Sequence, residues 1–142
     1  MAVSVVLAVD TVADALVEKI KTRVPNIKVG PGTDPSSEMG PLVSREHRDK
    51  VASYVANAPK EGATVVIDGT DKAKDPGFFL NPSLIDNVKP GMKCYDEEIF
   101  GPVLTVMRVK SYDEGLATIN ANQFGNGTAI FTRDGEIGRA HV

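Results

Sequence analysis

Two adjacent carboxylates and an aromatic ring stand together at Glu97-Glu98-Ile99-Phe100, followed directly by Gly101-Pro102. An ionised carboxylate carries two acceptor oxygens, so it can take both protons of a vicinal diol in charge-assisted hydrogen bonds. A ring two residues further on can pack against the edge of a flat ligand. Glu98 and Phe100 are therefore the candidate binding pair. The same residues also fit a plainer arrangement, a solvated acidic turn in which Phe100 enters the core and Gly101-Pro102 aims the chain into the next strand. On the hexapeptide alone both readings stand.

Other reactive residue types form no constellation. Cys94 is the only cysteine, which excludes an internal disulfide and a multi-thiolate metal site. Apart from Lys93 beside it, no cation stands in an activating pattern, so it reads as a small packed hydrophobe rather than a nucleophile. His47 and His141 have no spaced ligand partners, and no metal site is expected. His47 reads as a helix-face residue. The glycine-rich stretch 30–40 lacks the lysine-serine ending of a phosphate loop and reads as a surface crossover. The sequon Asn126-Gly127-Thr128 reads as a turn into a strand.

The elements that must position Glu98 and Phe100 follow from periodicity and end signals. Residues 3–9 form a nearly continuous apolar run, expected to be a parallel strand covered on both faces. Thr11-x-x-Asp14 opens a helix with Val12, Leu16, Ile20 and Val24 on one stripe, and Pro25 closes it. Residues 30–41 are turn formers without periodicity, a long loop. Ser44 caps a second helix whose face carries His47, Val51, Tyr54, Val55 and Ala58, with Gly62 at its exit. Strands are expected at 63–67 and 103–109, and shorter extended pieces at 78–80 and 84–85. Ser111-x-x-Glu114 is a capping box for a helix presenting Leu116 and Ile119. Residues 128–132 read as a further strand, and 135–142 as the start of a helix without a closing signal. The order predicts an α/β layered domain with a mostly parallel sheet.

Composition bounds the function classes. A chain of 142 residues with 42% hydrophobic and 25% charged residues suits one ordinary soluble globular domain, able to bury roughly 70% of its unfolded surface. A net charge of -3 and a pI near 5.4 provide no basic field for nucleic acid. The apolar start at 1–9 lacks a basic flank and is too short to span a bilayer, so no membrane partner is expected, and the default address is cytoplasmic.

Beyond the hexapeptide, the sequence resembles the NAD(P)-dependent aldehyde dehydrogenases. The resemblance runs in order through Met39-Gly40-Pro41-Leu42, Leu80-Asn81-Pro82, Val88-Lys89-Pro90-Gly91-Met92, Tyr95, Glu97 to Leu104, and Phe124 to Thr132. Within that superfamily, the stretch from Asn126 to Thr132 and Cys94-Tyr95 are most similar to the methylmalonate-semialdehyde dehydrogenase branch. The resemblance implies that Glu98 ligates the nicotinamide ribose of NAD, that Phe100 flanks the nicotinamide ring, and that coenzyme A accepts the acyl group after oxidative decarboxylation of a semialdehyde. It further implies that the nucleophilic cysteine precedes Met1 and that the chain is one partial catalytic domain without the Rossmann-type cofactor domain. On this basis the chain alone is expected to be inactive, with no catalytic residue of its own; a partial sheet exposes an edge and apolar surface, so association as a homo-oligomer is expected. Two alternatives stand beside it: a non-catalytic α/β packing or binding module, and a hydrolytic aldehyde dehydrogenase that releases a free acid.

Overall fold

Apolar β-branched runs alternating with capped amphipathic stretches produce the expected α/β order. The computed structural model describes residues 3–74, 76–125 and 127–135. Its elements are β1 (Val5–Val9), α1 (Val12–Arg23), α2 (Arg45–Asn57), β2 (Thr64–Ile67), β3 (Ser83–Asp86), α3 (Lys93–Asp96), β4 (Val103–Val109) and α4 (Tyr112–Ala121). The strands form one sheet in the order β1-β4-β3-β2. β4 runs parallel to both β1 and β3, while β2 closes the other edge antiparallel to β3. The sheet is thus mostly parallel, with one antiparallel edge strand.

Helices cover both faces, and the period-two alternation of the strands divides the core between them. Leu84 packs with Ala8, Ala13, Val17 and Val106 beneath α1. Its neighbour Ile85 points the other way, into a cluster with Val51, Val55, Val88, Cys94 and Val103 beneath α2. β3 is buried at every position, which explains why an apolar run of only four residues suffices there.

Local end signals act largely as read. Ser44 Oγ accepts from His47 N at 3.1 Å and starts α2, and Ser111 Oγ accepts from Glu114 N at 3.2 Å and starts α4. Gly62 adopts φ +97°, a conformation open to glycine, and leads the chain into β2. A second tie spans the sheet. Arg108 on β4 donates to both carboxylate oxygens of Asp86 on β3, at 3.2 and 2.7 Å, and to Asp14 Oδ1 on α1 at 2.7 Å.

Several expectations are corrected. Thr11 is in a helical conformation and makes no capping bond, because a capping hydroxyl reaches the amide three residues on from an extended backbone, as at Ser44 and Ser111; the Asp14 carboxylate pairs with the Arg108 guanidinium. β1 lies at a sheet edge and is only partly covered, with Ala8 alone fully buried. Residues 78–80 form no strand; Phe78 O instead accepts from Leu42 N at 2.8 Å, tying down the long loop. Residues 128–132 are exposed and unpaired, since β propensity without an adjacent strand edge does not make a strand. The short helix α3 was not anticipated. The expected helix start at 135–142, with His141, falls outside the described residues beyond 135, as do Met1 and Asn126. Among the described residues no helix is long and apolar enough to cross a membrane, and no group of three or more His, Cys, Asp or Glu could hold a metal ion.

Candidate functional site

The Glu97–Pro102 turn leaves α3 and enters β4 across the face of α2, and side chains at i, i+4 and i+7 of that helix hold it. The Tyr54 hydroxyl donates to Glu97 Oε2 at 2.5 Å. Val51, fully buried, lies under Gly101, where a Cβ would fall 2.7 and 2.8 Å from its two methyl carbons. His47 Nε2 lies 2.8 Å from Phe100 O. A carbonyl only accepts, so that ring nitrogen carries the proton. This stripe of helix α2 therefore grips the turn at its start, its middle and its end.

The grip determines what the turn presents. Both acids are exposed; Glu97 is held by Tyr54, whereas Glu98 makes no hydrogen bond or ion pair among the described residues. Its two carboxylate oxygens are free for a ligand. Phe100 is 79% exposed and adopts φ +53°, a left-handed conformation that costs a residue with a Cβ about 1–2 kcal/mol. Instead of entering the core, as the plainer arrangement of the hexapeptide required, the ring stands at the surface. Burial first, then the Glu97 carboxylate beside it, pushes the Tyr54 hydroxyl up to about 12, so the phenol keeps its proton and remains a donor at neutral pH.

α3 supports the turn from the other side. Its first amide, Lys93 N, donates to Glu61 Oε2 at 3.0 Å, Gly91 N donates to Asp96 Oδ1 at 3.1 Å, and Gln123 Nε2 donates to Asp96 O at 2.9 Å. Cys94, three residues before Glu97, points away from the turn into the core and is 3% exposed. Its thiol is pushed up by burial and by Glu61, the opposite of what activates a nucleophile.

The turn leaves both Glu98 and Phe100 exposed and is held by His47, Val51 and Tyr54, read from sequence only as a helix face. A signal was available. An imidazole and a phenol at i and i+7 of an otherwise apolar stripe carry polar tips that require partners when buried.

The aldehyde dehydrogenase family profile matches residues 1–141. The chain belongs to the aldehyde dehydrogenase family. It is 47% identical to a malonate-semialdehyde dehydrogenase of Pseudomonas aeruginosa, over 98% of this chain and 29% of that protein. It is 40% identical to the acylating mitochondrial methylmalonate-semialdehyde/malonate-semialdehyde dehydrogenase of Rattus norvegicus, over 100% of this chain and 27% of that protein. Among solved structures, the methylmalonate-semialdehyde dehydrogenase of Oceanimonas doudoroffii superposes with a TM-score of 0.91 at 47% identity, over 96% of this chain and 29% of that one. An aldehyde dehydrogenase of Mycobacterium tuberculosis complexed with NAD+ superposes with a TM-score of 0.87 at 32% identity, over 95% and 28% respectively. The chain therefore spans less than a third of the length of these relatives.

Proposed function

We propose that this chain is part of the catalytic domain of an NAD-dependent, coenzyme-A-acylating methylmalonate- or malonate-semialdehyde dehydrogenase, and that it forms one wall of the nicotinamide-ribose site. The carrying observation is the unpaired, exposed Glu98 beside the outward-facing Phe100, on a turn fixed by α2. Relatives named for this activity, at 40–47% identity, support the branch, and a family structure complexed with NAD+ supports the cofactor.

NAD, when bound, accepts the hydride removed from the aldehyde carbon. The residues of this chain bind and orient. The Glu98 carboxylate would accept from the ribose hydroxyls, and the Phe100 ring would limit the nicotinamide on one side. Hydride transfer depends on such placement far more than on further protein chemistry. Cys94 cannot supply the attacking thiolate from the core, so the nucleophile is assigned to the part of a relative-length enzyme that this chain does not span. The open edge of β1 and the exposed Phe124, Ile130 and Phe131 support association into a homo-oligomer, and a cytoplasmic address belongs to the same proposal.

The test is a chimera in which this sequence replaces the matched 29% of the P. aeruginosa enzyme. NADH formation from malonate semialdehyde and coenzyme A, with an acyl thioester as product, supports the proposal. A folded chimera that produces no NADH overturns it, and a free acid as product overturns the coenzyme A assignment.

A further inference from the structure

The backbone of Phe100 is held by one side chain, and we infer that His47 is a positioning residue for hydride transfer, fixing where the Phe100 ring meets the nicotinamide. The inference rests on the reading of Glu98 and Phe100 as the nicotinamide wall. Its own basis is geometric. Phe100 sits at φ +53°, a region that residues with a Cβ rarely occupy without an external constraint. The constraint is the 2.8 Å bond from His47 Nε2 to Phe100 O, made across 53 residues of chain.

His47 is itself well fixed. It lies in the first turn of α2, its backbone amide taken by the Ser44 cap at 3.1 Å; the residue is half-buried, and its bond to Phe100 O lies at the surface. The anchors on either side restrain other atoms: Tyr54 holds the Glu97 side chain, and Val51 only forbids a side chain at Gly101. Neither sets the Phe100 peptide. Without the imidazole, that peptide is free to return toward the extended region, carrying the ring with it, while Glu98 retains its carboxylate for the ribose. Loss of His47 should therefore be felt in the rate of hydride transfer more than in cofactor affinity, because a displacement of about 1 Å at a reacting centre costs on the order of 100-fold while binding contacts survive.

The chimera described above is the vehicle, with four measurements: kcat, KM for NAD, the primary deuterium isotope effect on kcat with deuterated aldehyde, and Tm. His47→Leu should lower kcat about tenfold or more with KM for NAD changed less than about threefold, and the isotope effect should rise as hydride transfer becomes limiting. His47→Asn, whose amide is too short to reach Phe100 O, should repeat that loss. His47→Gln, whose amide nitrogen lies at the reach of Nε2, should restore kcat to within about threefold. The inference is overturned if Gln serves no better than Asn, or if Leu and Asn match the unsubstituted chimera. It is also overturned if kcat falls only in proportion to Tm with no change in isotope effect. An unsubstituted chimera that is inactive, or whose cofactor KM does not respond to Glu98→Gln, counts instead against the nicotinamide-wall reading.

Discussion

Tyr54 and Glu97, 43 residues apart, are joined by a hydrogen bond of 2.5 Å from the phenol to Oε2. This bond makes two adjacent, chemically identical acids different: Glu97 is hydrogen-bonded by a side chain of α2, and Glu98 has no hydrogen bond or ion pair among the described residues. Tyr54 is 4% exposed as a residue, while its bond to the exposed Glu97 is part-buried, so removing the acceptor costs the hydroxyl its protein partner at a place water can partly reach.

That difference predicts opposite phenotypes for the two acids. Glu97→Ala should cost about 0.5–1.5 kcal/mol of unfolding free energy, the net worth of a part-buried hydrogen bond, read by urea denaturation. Glu98→Gln should leave stability within about 0.5 kcal/mol, as for an ordinary surface site. In the chimeric enzyme it should lower kcat/KM for NAD by the loss of one charge-assisted contact, about 1.5–3 kcal/mol, or roughly 10- to 150-fold. If the phenotypes are exchanged, the assignment of the two acids is wrong.

The raised titration of Tyr54 predicts a stability change at high pH. Its folded value of about 12 lies above the ordinary 10, so the folded state favours the protonated phenol. The stabilisation is fully present below pH 10 and is lost as pH rises through 12. Urea denaturation of the protein and of Tyr54→Phe at pH 8, 10 and 12 should show a difference that shrinks over that window, by on the order of 2 kcal/mol. A difference that stays constant to pH 12 contradicts the raised titration that burial, and then the tie to Glu97, produce.

At Gly101 the close approach of Val51 predicts a steric phenotype with a specific rescue. Gly101→Ala places a methyl group 2.7 Å from Val51 Cγ2 and should destabilise by about 1–3 kcal/mol, as overpacking does. Adding Val51→Ala makes room, so the double variant should be more stable than the sum of the two single changes predicts. Additive losses would mean that the two residues do not touch.

Arg108 should behave as the closing charge of a buried site. The Asp86 side chain is 4% exposed and that of Arg108 is 36% exposed. Arg108→Met should cost about 2–3 kcal/mol, below the full penalty for a wholly buried pair because water reaches the guanidinium side. Asp86→Asn in the same background should recover part of it, since the uncompensated charge is then gone. Thermal or urea unfolding of the four-member cycle measures this, and no recovery would place the cost in lost packing instead.

What the sequence by itself determined is local. The runs at β1, β2 and β4, the serine caps of α2 and α4, and the turn chemistry at Gly62 were all readable, because each is set by neighbours within a few residues. The Glu97–Pro102 turn and the ordered match around it also revealed the family. What only the tertiary structure decided depends on residues that the chain brings from far away. Thr11 fails as a cap because its backbone is helical rather than extended, and the Asp14 carboxylate is instead taken by Arg108, 94 positions beyond it. The apolar, β-branched stretch 128–132 stays unpaired because a strand needs an adjacent edge as well as propensity. Which glutamate keeps its carboxylate without a protein partner depends on Tyr54, and the exposed Phe100 has a left-handed backbone whose carbonyl accepts from His47. The types and spacing of Glu98 and Phe100 were thus written locally, and their presentation was decided by the packing of one face of α2 against the turn.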